Sequence, residues 1–160
     1  MNVMPEQVER LQFLVRVVER EIKHLQMTDD RLFAEPLTLE QFAGLDEDQA
    51  LSERIEAFVS RFGRLQDTLG DKLLPRLLQL VQEKATSMVD NLDRAERLGW
   101  IVSADQWLVA RKLRNQMVHE YIEDLNVLLD ALQAGHILVA DIVEAGQRML
   151  AEVQYRLPEE

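Results

Sequence analysis

Apolar residues recur at intervals of three and four along nearly the whole chain, and no run alternates apolar with polar as a half-buried strand would. Val8, Leu11, Val15, Val18, Ile22 and Leu25 draw one such stripe over residues 6–28, a helix opened by Pro5, whose missing N–H is no loss in a first turn. Residues 29–46 hold Pro36 and Gly44 and read as a connector with one short helix, started by the capping box Thr38-x-x-Gln41. A second long helix begins near Asp48 and carries Leu51, Ile55, Phe58, Val59, Phe62 and Leu65. Gly70 and Pro75 predict a break or kink there before it resumes through Leu77, Leu78 and Val81. A shorter helix covers 85–98 and stops at Gly99, and Ser103-x-x-Gln106 caps the next. From about Asp124 the pattern is helical to Tyr155, with a break predicted at Gly135-His136. There is no internal repeat and no linker. The expectation is one all-α domain over residues 1–160, an up-and-down bundle of four to six helices.

Composition narrows the chemistry. With 47% apolar and 29% charged residues, 160 residues can bury a core without metals or disulfides. Cysteine is absent, which rules out a disulfide framework and thiolate metal sites. His24, His119 and His136 are far apart in sequence and form no helical pair, so neither a metal nor another cofactor is expected. No stretch reaches the eighteen or so uninterrupted apolar residues of a membrane span, and the N-terminus has no signal-peptide pattern, so the expected location is cytoplasmic, away from membranes. The net charge of −11 argues against a broad nucleic-acid-binding surface, while a small local basic site stays open.

One stretch departs from this plain pattern: "RNQMVHEY", residues 114–121. On a wheel of about 100° per residue, Val109, Ala110, Leu113 and Met117 cluster as the core stripe. Arg111, Arg114, Asn115 and His119 fall on roughly the opposite side, together with Trp107, Leu108 and Val118. Large apolar residues among cations on a non-core side predict a second buried surface, such as a subunit interface; the alternative is that Trp107 and Leu108 tuck under the N-terminal connector. Asn115 and His119 are four apart and share a face, but Arg114 and His119 are five apart, roughly 140° around an ideal helix. For both to act on one phosphate, the helix must end between them or two chains must contribute. Arg111, Lys112 and Arg114 would make the resulting cleft positive inside an acidic protein.

This stretch resembles the signature of the HEPN superfamily (higher eukaryotes and prokaryotes nucleotide-binding domains): an arginine, a polar residue, three more positions and a histidine. The longer form, ending in a tyrosine two residues on, is similar to the HepT-type toxins and the related nucleotidyltransferase substrate-binding proteins. Arg114, Asn115, His119 and Tyr121 match it position for position, and "AERLGWIVSADQW", Ala95 to Trp107, resembles the helix, glycine turn and tryptophan-bearing helix start that precede the motif. The resemblance covers residues 90–124 in motif content and the rest in architecture. It implies a helical bundle that dimerises so that the motifs face each other, and metal-independent RNA cleavage. It also implies a minimal nucleotidyltransferase as antitoxin partner, able to add AMP to the motif tyrosine, here Tyr121. Some relatives are non-enzymatic substrate-binding partners.

The residues suit that chemistry by themselves. RNA carries its own nucleophile in the 2′-hydroxyl, so cleavage needs a proton-transfer group and charge stabilisation. Histidine is the side chain type best suited to the first task, and His119 supplies it. Arg114 is suited to the second, with Arg111 and Lys112 as further phosphate contacts. Asn115 is placed to orient the phosphate or to hold the tautomer of His119. Each has a plainer reading too: Arg114 as an ion-pair partner of Glu120, Glu123 or Asp124, His119 as a helix-end residue, and Tyr121 as a boundary aromatic. A purely structural dimerisation bundle is the third class of function. His24 and His136 read as surface residues without a role.

Overall fold

The structure, a computed structural model, describes residues 4–157, with backbone alone at 120–122. Among them there is no strand. The α-helices are α1 (Pro5–Leu32), α2 (Leu39–Ala43), α3 (Gln49–Asp67), α4 (Leu74–Leu80), α5 (Met88–Arg97), α6 (Ala104–Glu123) and α7 (Leu125–Arg156). With α3 and α4 forming one rod, the all-α bundle has six helices among the described residues.

Local chemistry starts these helices where the sequence predicts. The Thr38 hydroxyl accepts from the Gln41 N–H at 3.2 Å while the Gln41 side chain accepts from the Thr38 N–H at 2.9 Å, a complete capping box on α2. Asp48 accepts from the Leu51 N–H at 3.1 Å to open α3, and Asp124 from the N–H groups of Asn126 and Val127 to open α7. Gly99, just past α5, has φ +81°, the left-handed conformation that ends helices and suits glycine.

One predicted interruption takes the form of a π-helical turn, and the other is absent. Between α3 and α4 the regular α-helix is interrupted where the sequence predicts, but the chain stays helical: residues Thr68–Leu73 widen into a π-helical turn in which the Leu74 N–H reaches the Leu69 carbonyl. Pro75 has no N–H to give the carbonyl four residues back, and the wider turn carries the chain past that gap. At Gly135-His136, α7 runs on unbroken. Gly135 is there for space. A Cβ on it would stand 2.6 Å from Met117 Cε and 3.4 Å from Phe62 Cζ, so the missing side chain lets α6 and α3 close on α7.

One contiguous core joins the helices. α1 packs on α3, with Leu14, Val18 and Leu25 of the one and Ile55, Phe58 and Phe62 of the other buried in the same core, and α7 contributes Leu128, Leu132, Val139, Met149 and Val153. α6 and α7, separated only by Asp124, pack as an antiparallel hairpin. By length and apolar content α7 would pass for a membrane-crossing helix, which qualifies the expectation from the sequence. Half of that apolar stretch is buried within the bundle, the place of a core helix.

Candidate functional site

α6 carries every candidate residue, and its rotation about its own axis decides what they can do. Among its described side chains after the first turn, Trp107, Ala110 and Met117 are the buried ones. Their arc therefore faces the bundle, and Arg114, on the same wheel, lies within it. Trp107 is thus a core residue rather than part of an interface: it is 4% exposed, and the space above Gly70 is filled by its indole and by Met88. It does not lie under the N-terminal connector either. Val109, predicted to be core, is 51% exposed, and Leu113 is half-buried. Leu108 and Val118 face outward, on the non-core side that the sequence predicts for them.

The inward arc meets a groove made by small residues. Gly63 and Gly70 are seven apart on the α3 rod, and a Cβ on Gly63 would collide with Arg114, 2.8 Å from Nε and 2.9 Å from Cγ. Arg114 crosses that gap and grips Asp67 with both terminal nitrogens, Nη1 to Oδ1 at 3.1 Å and Nη2 to Oδ2 at 2.9 Å. This two-pronged pair fixes the guanidinium plane. The partner of Arg114 is thus Asp67 rather than Glu123 or Asp124; the side chain of Glu120 lies outside the described residues. Arg111 stands beside it, 3.9 Å from Asp67 and 3.6 Å from Asp71, close enough for attraction but without a hydrogen bond. Gln66, fully buried next to this cluster, donates from Nε2 to the Ala110 carbonyl at 3.4 Å.

The other motif residues point elsewhere. Lys112, Asn115 and His119 are exposed, on the outward side with Leu108 and Val118. α6 is continuous from Ala104 to Glu123, so no helix end brings His119 round to Arg114 within one chain. The side chain of Tyr121 lies outside the described residues. The cleft between α6 and α7 beside Trp107 holds about 20 Å³, room for about one water and far too small for a nucleotide.

Two features escaped the reading from sequence. Asp67 is the partner of the motif arginine, and its signal was a carboxylate between two glycines at helical spacing, Gly63, Asp67 and Gly70. His136 has a definite environment: its Nδ1 is 2.7 Å from Oδ1 of the buried Asp29, and its ring stacks on Phe33 at 4.1 Å between centroids. Burial pushes the Asp29 carboxyl above the usual carboxylate range, partly offset by the hydrogen bond and charge of His136. Next to it, Arg61 donates to the Thr28 hydroxyl and to the His24 carbonyl, so that α3 is tied to the last turns of α1. His24 is accordingly half-buried. No group of His, Asp and Glu that could hold a metal occurs among the described residues.

Comparison of the chain with family profiles, with curated proteins and with solved structures gave no match.

Proposed function

We propose that the protein is a HepT-like, HEPN-type endoribonuclease whose active site is completed across a homodimer and whose toxicity a minimal nucleotidyltransferase restrains. The observation that carries this reading is the division of the Arg-Asn-x3-His motif on one unbroken helix. Arg114 and Arg111 face the α3 groove, while Asn115, His119 and Lys112 share the outward side with the uncovered Leu108 and Val118. A phosphate held by an arginine and attacked with the help of a histidine then needs Arg114 from one copy and His119 from the other. Leu108 and Val118 supply apolar contact area for such a pairing. His119 takes the proton from the 2′-hydroxyl or returns one to the leaving 5′-oxygen, Asn115 orients the phosphate, and Arg114 stabilises the added negative charge. AMP added to Tyr121 by the partner would bring negative charge to the motif and suppress cleavage.

Mixing two dead variants tests the divided site. Arg114→Ala and His119→Ala should each abolish cleavage, a loss of about a hundredfold to ten-thousandfold for an acid–base group. Co-refolded in equal amounts, the two should regain roughly a quarter of wild-type activity, since half of the dimers are mixed and each then has one intact composite site. Cleavage should withstand EDTA, leave a 2′,3′-cyclic phosphate and spare DNA. Activity that does not return in the mixture would remove the composite site, and a wild-type dimer that cuts no RNA would remove the nuclease.

A second reading has its own observation. The fork of Arg114 is already occupied by Asp67. A structural arginine of this kind suits a non-enzymatic partner of a nucleotidyltransferase, or a dimerisation bundle. Asp67→Asn separates these readings: it frees Arg114 and should raise cleavage in the nuclease, and it should only loosen the α3–α6 contact in the others.

A further inference from the structure

The charge of the protein is unevenly spread. α1 turns Leu11, Leu14, Val18, Ile22 and Leu25 into the core, and the opposite arc is basic. Phe13, Arg16, Arg20, Lys23, Met27 and Arg31 lie within roughly 80° of one another on the wheel, and Arg10, about 60° outside that arc, reaches back to it over Phe13. All seven are exposed. Arg20, Lys23 and Arg31 pair with no acid among the described residues, and Arg10 lies over the Phe13 ring at 5.2 Å. The α3 rod extends the surface. Arg61 reaches the His24 carbonyl at 3.3 Å, and Arg64 and Lys72 lie close enough to act on the Glu21 carboxylate. Glu21 itself is half-buried and accepts from the Thr68 hydroxyl at 3.1 Å, so it is turned in rather than presented. The other acids near the strip are Glu9 on its first turn with Glu6 before it, Glu19 and Asp30 along one edge, and, on the α3 side, Asp67, which Arg114 holds.

We infer that this strip on α1 is a docking surface for the phosphate backbone of a nucleic acid strand. From Arg10 to Arg31 it runs for about 32 Å at 1.5 Å per residue. That is the length of roughly nine phosphates along one strand of a duplex. A line of cations with an aromatic and a thioether among them fits a line of phosphates with bases that can stack on Phe13. A membrane surface fits less well, because the apolar arc of α1 that would enter it is already buried in the core. The net charge of −11 conceals the strip, since it sums over faces that no single ligand touches at once. The inference stands apart from the α6 motif: a chain that cuts nothing still has this surface.

The test is fluorescence anisotropy of the full chain with labelled 20-nucleotide single strands, RNA and DNA, at about 50 mM salt. The expected result is binding in the micromolar range, alike for RNA and DNA within about threefold, because the strip reads phosphate. Arg20→Glu with Lys23→Glu should weaken it at least tenfold and lower the salt slope by about 1.4. Arg76→Glu with Lys84→Glu makes the same charge change at exposed positions elsewhere and should cost less than about threefold. Circular dichroism establishes that both variants stay folded; should the α1 pair unfold, Lys23→Gln alone, with an expected loss of about threefold, serves instead. Four outcomes overturn the inference. These are no binding at tens of micromolar protein, equal loss in the two charge-reversed variants, equal or tighter binding of polyglutamate of matched charge, and preferential binding to anionic phosphatidylserine vesicles. Loss of RNA cleavage with strand binding intact would touch only the α6 reading.

Discussion

Replacing Trp107 by alanine tests the rotation of α6 on which the site depends. The side chain is 4% exposed and, with Met88 of α5, fills the space above Gly70 of the π turn. Truncating a buried tryptophan costs about 3–5 kcal/mol through lost transfer energy and the void left behind. One term works the other way. The indole N–H is buried without an acceptor in the protein, and an unmet donor costs about 1–3 kcal/mol that the variant no longer bears. The net expectation is about 3 kcal/mol, a large part of the roughly 5–15 kcal/mol available to a domain. Trp107→Phe keeps most of the ring and drops the N–H, so it should stay within about 1 kcal/mol of wild type. Urea unfolding followed by circular dichroism reads both, and with a slope of about 1–3 kcal/mol per molar the alanine variant should shift the midpoint by about 1–3 M. Trp107→Glu should lose helical content, because its carboxylate would be left unpaired in the core. Should Trp107→Glu instead remain fully helical and merely dissociate from a partner, the residue belongs to an interface and the inward arc has been misassigned.

Other consequences follow from particular contacts. Gly135→Ala should destabilise by about 1–3 kcal/mol through its overlap with Met117 Cε, and adding Met117→Ala should recover none of the core packing but remove the clash, so a double-mutant cycle in urea should return a coupling of the opposite sign to the single cost. Gly63→Ala should lift Arg114 from Asp67, and thermal melting should show a loss of about 1 kcal/mol, since that pair is one-third exposed and screened by solvent. Asp29 has its carboxyl raised by burial, so the stability it contributes is present in full below the ordinary carboxylate value of 3.8 and is lost as pH rises through its folded value. Relative to Asp29→Asn, wild type should therefore lose ground in urea midpoints as pH rises above 3.8; a relative gain would mean a depressed carboxyl and refute the assignment. Glu21, raised for the same reason, should behave likewise against Glu21→Gln. His136→Ala should cost about 1–3 kcal/mol at neutral pH by leaving the Asp29 carboxylate without its partner.

Gly70 and Gly135 both stay within helical segments, and for a common reason. Gly70 and Gly135 are helix breakers by intrinsic preference, worth about 1 kcal/mol each against alanine. In the bundle each lies where another helix presses in, Trp107 and Met88 over Gly70 and Met117 over Gly135, and the close packing this permits outweighs that preference. His136 shows the same limit from the polar side. Nothing within several residues of it predicts a partner, because Asp29 is 107 residues away in sequence and is brought beside it by the packing of α1 on α7.

Sequence by itself determined the helices, their starts and the class of fold, because a three-to-four spacing of apolar residues and a capping side chain act within one turn of their own backbone. Thr38 and Ser103 cap as the sequence predicts, helices start at Asp48 and Asp124, and the stripe through Leu11, Val18 and Leu25 is buried. It also singled out α6 as the helix with the unusual residues. What it did not determine was which way α6 faces. Trp107, Leu108, Val109, Ala110, Leu113, Met117 and Val118 surround that helix rather than forming one stripe, so its own periodicity supports more than one inward arc. Tertiary structure decided between them. The gaps at Gly63 and Gly70 admit the bulky arc of Trp107 and Arg114, and Asp67 between them meets the guanidinium charge, while the arc of Val109 finds no such groove and remains in solvent. A helix with apolar residues all round is oriented by the shape and charge of what it packs against, and those lie some forty residues away in the chain.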